Sequence, residues 1–178
     1  MKILVITGTV RKGRTTGDVA DKVSAFFSKR HEVQLFDLKE RDVPHMEERL
    51  SNAENPPEDV EIFAEMVEWS DVITIVSPEY NHSIPGALKN ILDYLYPEYN
   101  DRIFTYVTVS KGGFGGLRAL SHLHDITIAL GGLTGPSMPV SNVDQHFAEE
   151  EVSEEYQSKM ERFLEQVEDY HNKFSQTI

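Results

Sequence analysis

One stretch of this chain, Thr7-Gly8-Thr9-Val10-Arg11-Lys12-Gly13-Arg14-Thr15-Thr16, gathers the donors an anion needs. Arg11, Lys12 and Arg14 place three of the chain's 17 Lys and Arg within four positions. Thr9, Thr15 and Thr16 add hydroxyls, and Gly8 and Gly13 let the main chain approach a ligand closely. A helix starting here adds free N–H groups and a positive dipole end. The chemistry is phosphate binding. The plain alternative is a solvated turn whose cations balance nearby acids.

A second stretch runs from Pro78 to Leu92 and carries Glu79, Tyr80, Asn81, His82 and Ser83 between two prolines. Pro78 and Pro85 fix φ and push the residue before each into extended conformations. A stiff loop bearing an aromatic and an amide is suited to a flat ring system; a Pro-bounded connection without a ligand is the competing reading. A third stretch, Ser110-Lys111-Gly112-Gly113-Phe114-Gly115-Gly116, sets four Gly around one Phe. Such a loop leaves room for a ring edge against main-chain N–H groups. A loose connection would look the same.

The phosphate stretch resembles a P-loop only in part, because Arg14 stands where that motif needs Lys. The Gly spacing of a dinucleotide fingerprint is absent. A single terminal phosphate, as in FMN, fits better than a triphosphate or a pyrophosphate.

These stretches need elements to hold them. Apolar, strand-like runs recur at Ile3–Thr7, His31–Asp37, Val72–Ser77 and Ile103–Val109, with a weaker one near Leu133–Val140. Helix-length segments follow at Thr16–Lys29, Asp59–Ser70, Gly86–Tyr96 and Gly116–Leu130. A last helix spans about Glu154–Phe174, its apolar stripe packing on a sheet face. Glu149-Glu150-Glu151 reads as its acidic lead-in. Alternating strands and helices imply βαβ units, a parallel sheet and helices on both faces. Five strands favour a flavodoxin-like three-layer sandwich of order 2-1-3-4-5, and all three loops then fall at the ligand-binding edge. Residues 39–58 are polar, contain Asn55-Pro56-Pro57 and read as a long surface loop.

The totals narrow the class. The 178 residues fit a single domain, 1–178, that is 39% apolar and 26% charged. Without Cys the chain has no disulfide, thiol nucleophile or Cys-ligated metal, which fits a cytoplasmic protein. The opening apolar run is too short for a signal or a membrane span. A net charge of −13 disfavours nucleic acid and anionic membranes as partners.

With these motifs in place, the chain resembles the NADPH-dependent FMN reductase family of flavodoxin-like proteins. The resemblance runs from Met1 to about Leu130 and rests on the Thr7–Thr16 loop, on Pro78–Asn90 and on Gly112–Arg118. It implies bound FMN, with NADPH or NADH as co-substrate and a flavin, quinone or azo compound as small-molecule acceptor. It implies that Thr9, Arg11, Arg14, Thr15 and Thr16 hold the phosphate. Pro78, Glu79, Tyr80 and Asn81 would line the ring, and Ser110, Gly112 and Gly113 its other edge. The family commonly has Ser where this chain has Thr9 and Thr15, and Asn where it has Gly17.

Hydride transfer between nicotinamide and flavin needs no side-chain acid or base in its first half, so no catalytic residue is assigned. No metal-binding spacing appears among the seven His. Tyr94, Tyr96 and Tyr99 fit surface, core or a dimer contact; the resemblance implies the last, with Leu95, Tyr96 and Tyr99 as apolar surface that a second copy covers in a homodimer or homotetramer. Two rivals stand beside the reductase: an electron-carrier flavodoxin and a P-loop-like nucleotide-binding protein.

Overall fold

Strand β1 (Lys2–Thr7) is hydrogen-bonded on both sides, to β2 (Glu32–Asp37) and to β3 (Val72–Pro78). Strands β4 (Ile103–Val109) and β5 (Leu133–Val140) extend the sheet beyond β3. The order β2-β1-β3-β4-β5, all parallel, matches the sequence expectation. This computed structural model describes residues 1–147 and 150–175, and Glu149 of the acidic lead-in lies outside the described residues.

Side-chain alternation along each strand builds two cores. Leu4, Ile6, Ile73, Ile75, Phe104 and Tyr106 face helices α2 (Glu58–Trp69), α3 (Gly86–Tyr94) and α4 (Leu117–Ala129). Ile3, Val5, Val72, Val76, Ile103 and Val107 face α1 (Thr15–Phe27) and the long α6 (Glu154–Ser175). Strands β3 and β4 are buried along their whole length, as parallel strands covered on both faces must be. A short helix, α5 (Val143–His146), follows β5 and puts Val143 into the second core. The sequence showed no sign of it, because four residues are too few for a helical period.

The loop between β2 and α2 is held down rather than loose. The Asn90 side chain accepts from Met46 N at 2.9 Å and donates to the Pro44 carbonyl at 2.7 Å. Val43, Met46 and Leu50 pack against the first core.

One expectation is corrected here. Leu95 and Tyr99 do not form a surface patch: both are buried, and the Tyr99 ring packs 5.6 Å from Phe104. Only Tyr96 of that group is exposed. The other exposed large apolar side chains are Val10 in the first loop and Phe114, Leu117 and Ile128, these three before and along α4. No helix among the described residues is long and apolar enough to cross a membrane.

Candidate functional site

Beyond the carboxyl ends of β1, β3 and β4, the three connecting loops enclose a cleft of about 310 Å³. Its walls include Arg11, Arg14, Thr15 and Thr16 from the first loop, Pro78, Glu79 and Tyr80 from the second, and Ser110 from the third. Four other sequence candidates, Thr9, Asn81, Gly112 and Gly113, do not line the cleft themselves.

The first loop is shaped for an anion. Gly8 donates its N–H to Val76 O at 2.8 Å, and a Cβ on it would meet Leu88 Cδ2 at 2.8 Å. A side chain on Gly8 would push against Leu88 of α3, whereas Gly13 suits its left-handed φ of 63°. Helix α1 begins without a side-chain cap, so its first-turn N–H groups have no side-chain acceptor. Thr9 is almost fully buried; its Oγ1 accepts from Arg11 N at 3.3 Å and lies 2.8 Å from the Tyr80 hydroxyl.

The cations divide by function. The Arg14 guanidinium, 8% exposed, donates to the Thr9 carbonyl and pairs with Asp37 at the end of β2. Gly17 makes room for it, because a Cβ there would stand 3.0 Å from Arg14 Nε. Asp21 titrates above its ordinary range through partial burial and the nearby Asp37 and Asp18, an effect Arg14 opposes. Arg14 is thus neutralised by the protein's own carboxylates and braces the loop. Arg11 and Lys12 are exposed on the cleft and have no ion-pair partner among the described residues. The charge open to an anion is theirs.

The second loop is a miniature hairpin. Tyr80 and Ser83 exchange two main-chain hydrogen bonds, 2.9 and 3.0 Å. Between them Asn81 (φ 49°) and His82 (φ 67°) are both left-handed, the signature of a two-residue type I′ turn. Asn81 is the turn former rather than a wall of the cleft. Glu79 Oε2 accepts the Arg118 N–H of α4 at 3.1 Å, and Ser83 Oγ lies 2.8 Å from His122 Nδ1 on the same helix. His124 turns the other way, its ring 4.8 Å from Tyr106.

In the third loop the four glycines do different work. Gly115 (φ 60°) and Gly116 (φ 75°) are left-handed and tightly packed, with Thr108 Oγ1 donating to the Gly115 carbonyl at 2.6 Å. A Cβ on Gly112 or Gly113 would touch nothing within 4 Å, so neither is needed by the fold itself. Ser110 Oγ donates to the Gly112 carbonyl at 2.8 Å, and Asn142 N donates to the same oxygen at 3.0 Å.

Lys111, Val109 and Val143 also line the cleft, and sequence reasoning did not assign them. Lys111 pairs with Asp144 of α5 at 3.0 Å. An adjacent Lys in the glycine-rich loop was the available signal for Lys111; α5 offered none for Val143. The result is one cleft with cations, hydroxyls and helix N–H groups at one end, and Pro78, Tyr80, Val109 and Ser110 at the other. It can take a phosphate group and a planar ring together.

Comparison with known proteins agrees in sequence and in shape. A sequence profile described as NADPH-dependent FMN reductase matches residues 1–146. An NADPH azoreductase of a Bacillus species is 35% identical over 129 residues, 70% of this chain and 67% of that protein. A quinone reductase of Escherichia coli is 32% identical over 134 residues, 73% of this chain and 71% of that one. Among solved structures, a flavoenzyme NAD(P)H:(acceptor) oxidoreductase from Paracoccus denitrificans superposes with a TM-score of 0.75 at 23% identity, covering 94% of this chain and 97% of that one. That likeness extends the flavodoxin-like fold over nearly the whole length. The flavodoxin-like sheet, the three-loop cleft and the match over residues 1–146 make this chain a member of the NADPH-dependent FMN reductase family, and hence an oxidoreductase.

Proposed function

We propose that the chain binds one FMN in this cleft and uses NADPH or NADH to reduce a flavin, a quinone or an azo compound. The observation that carries the reading is the convergence of three loops on one cleft whose two ends differ in chemistry as a flavin monophosphate does. Arg11, Lys12, Thr15, Thr16 and the first turn of α1 receive the phosphate. Arg14 and Thr9 hold that loop in shape. Pro78, Tyr80 and the main chain of Ser110, Gly112 and Gly113 flank the ring, with Glu79 and Asn81 shaping the loop that presents them. Bound FMN supplies hydride acceptance from nicotinamide and hydride donation onward. The chain's part is to hold the ring with one face open and to place main-chain donors where negative charge develops on reduction. A single ring face serving donor and acceptor in turn implies ping-pong kinetics.

Titration with FMN and with riboflavin tests the phosphate end. FMN binds at least tenfold more tightly on this reading, since a charge-assisted bond contributes about 1.5–3 kcal/mol; equal affinities contradict it. Steady-state NADPH and NADH oxidation with a quinone and an azo dye as acceptors tests the activity.

The chain also pairs with a second copy on this reading. Leu117 (49% exposed) and Ile128 (66%) lie about three helical turns apart on one face of α4, with Phe114 (73%) just before it. An isologous contact there removes this apolar surface from water. Light scattering at low micromolar concentration gives twice or four times the chain mass; a monomeric mass contradicts the pairing.

A further inference from the structure

The first turn of α4 lacks a cap of its own. Its N-cap residue is Gly116, left-handed and without a side chain to accept a hydrogen bond. The acceptor comes from Glu79 in the β3–α3 loop: Oε2 receives the Arg118 N–H at 3.1 Å, and Oε1 lies 3.5 Å from Arg118 Nη1. Glu79 also lines the cleft, and its side chain is only 15% exposed. One helical turn further along α4, His122 meets Ser83. The ring-side loop is thus tied to one face of α4 on both sides of its turn. Two left-handed non-glycine residues in succession persist only where the surroundings over-determine them, and these two ties supply that constraint.

We infer that Glu79 is a positioning residue for the flavin: it caps α4 from the opposite loop, fixes the separation of the two loops that flank the ring, and keeps a negative charge, paired with Arg118, beside that ring. This inference rests on the FMN reading above. A preset slot lowers the ordering cost of binding. A fixed carboxylate near the ring disfavours the added electrons of the reduced state, and the Arg118 guanidinium opposes it. The cap needs only an acceptor oxygen, whereas the charge effect needs an ionised carboxylate, so Glu79→Gln separates the two.

The test measures FMN affinity by fluorescence quenching, and the midpoint potential of bound FMN, in the full chain and in Glu79→Gln, Glu79→Ala and Arg118→Ala. Glu79→Gln binds FMN within about threefold of the parent, with a more positive potential. Arg118→Ala keeps the main-chain N–H, binds within about threefold, and shifts the potential the opposite way. Glu79→Ala loses about tenfold in affinity. If Glu79→Ala does not fold, the opposed potential shifts of the other two variants decide. Unchanged affinity in a folded Glu79→Ala, or shifts of the same sign or none, overturns the inference. A parent chain that takes up no FMN overturns the flavin reading itself, a different failure from these.

Discussion

Thr9 and Tyr80 stand 71 residues apart in the chain, yet their hydroxyl oxygens lie 2.8 Å from each other at the back of the cleft. The contact joins the phosphate loop to the ring loop. Thr9 Oγ1 also accepts from Arg11 N, so one buried hydroxyl links the main chain of the phosphate loop to Tyr80. Removing either hydroxyl leaves the other without its partner. Tyr80→Phe weakens FMN binding about three- to tenfold. A double-mutant cycle with Thr9→Val gives a coupling energy of about 0.5–1.5 kcal/mol. Strictly additive losses would show that the two loops act independently.

Arg11 and Arg14 behave differently on truncation. Arg11 is exposed, so Arg11→Ala changes unfolding free energy by less than about 0.5 kcal/mol and lowers FMN affinity at least tenfold. Arg14→Ala leaves Asp37 unpaired and removes the brace on the Thr9 carbonyl, costing about 2 kcal/mol in urea unfolding. Equal stability of the two variants contradicts this division.

His82 sits left-handed at the second central position of a type I′ turn, where Gly is preferred. His82→Gly relieves that conformation and raises unfolding free energy by about 1 kcal/mol. A lower melting temperature in this variant would mean that the imidazole makes a contact that outweighs its backbone strain. Comparison of KM for a quinone acceptor in the two proteins reads any part His82 has in substrate contact.

The acids around Arg14 give a pH signature. The folded state raises the Asp21 pKa, so it binds that proton more tightly than the unfolded chain does. Stability from this group is greatest below its unfolded pKa and falls as pH rises through the folded value. Asp21→Asn therefore unfolds at a higher temperature than the parent at pH 7. The difference shrinks as pH falls through the carboxylate range and vanishes by about pH 2, where the carboxyl is protonated in both the folded and the unfolded chain. The gain is small, because Asp21 is open to solvent. A destabilised variant at pH 7 reverses the sign and contradicts the assignment.

The fold was legible because β1, β3 and β4 are apolar runs and the crossovers are helix-length, while the edge strands β2 and β5 carry polar residues, Gly and Pro and signal more weakly; order and layers follow from those facts. The three loops were legible for the same reason, as each follows such a run. What escaped is long-range. Arg14 reads as a phosphate ligand until the parallel register of β1 and β2 sets Thr7 beside Asp37 and brings in a carboxylate 23 residues away. Glu79 carries no local mark of its partner, Arg118, 39 residues later. The turn at Asn81-His82 lacks the Gly that announces its type. Tyr99 and Leu95 read as surface because their burial depends on other elements: Tyr99 packs on Phe104 of β4, and Leu95 joins the first core.

The central claim is that this cleft holds FMN and passes hydride through it. Anaerobic mixing of the FMN-loaded protein with NADPH, and separately with NADH, tests it most directly. The account predicts loss of the oxidised-flavin absorbance with at least one donor, and its return when a quinone is then added. Oxidised flavin that persists with both donors would contradict it.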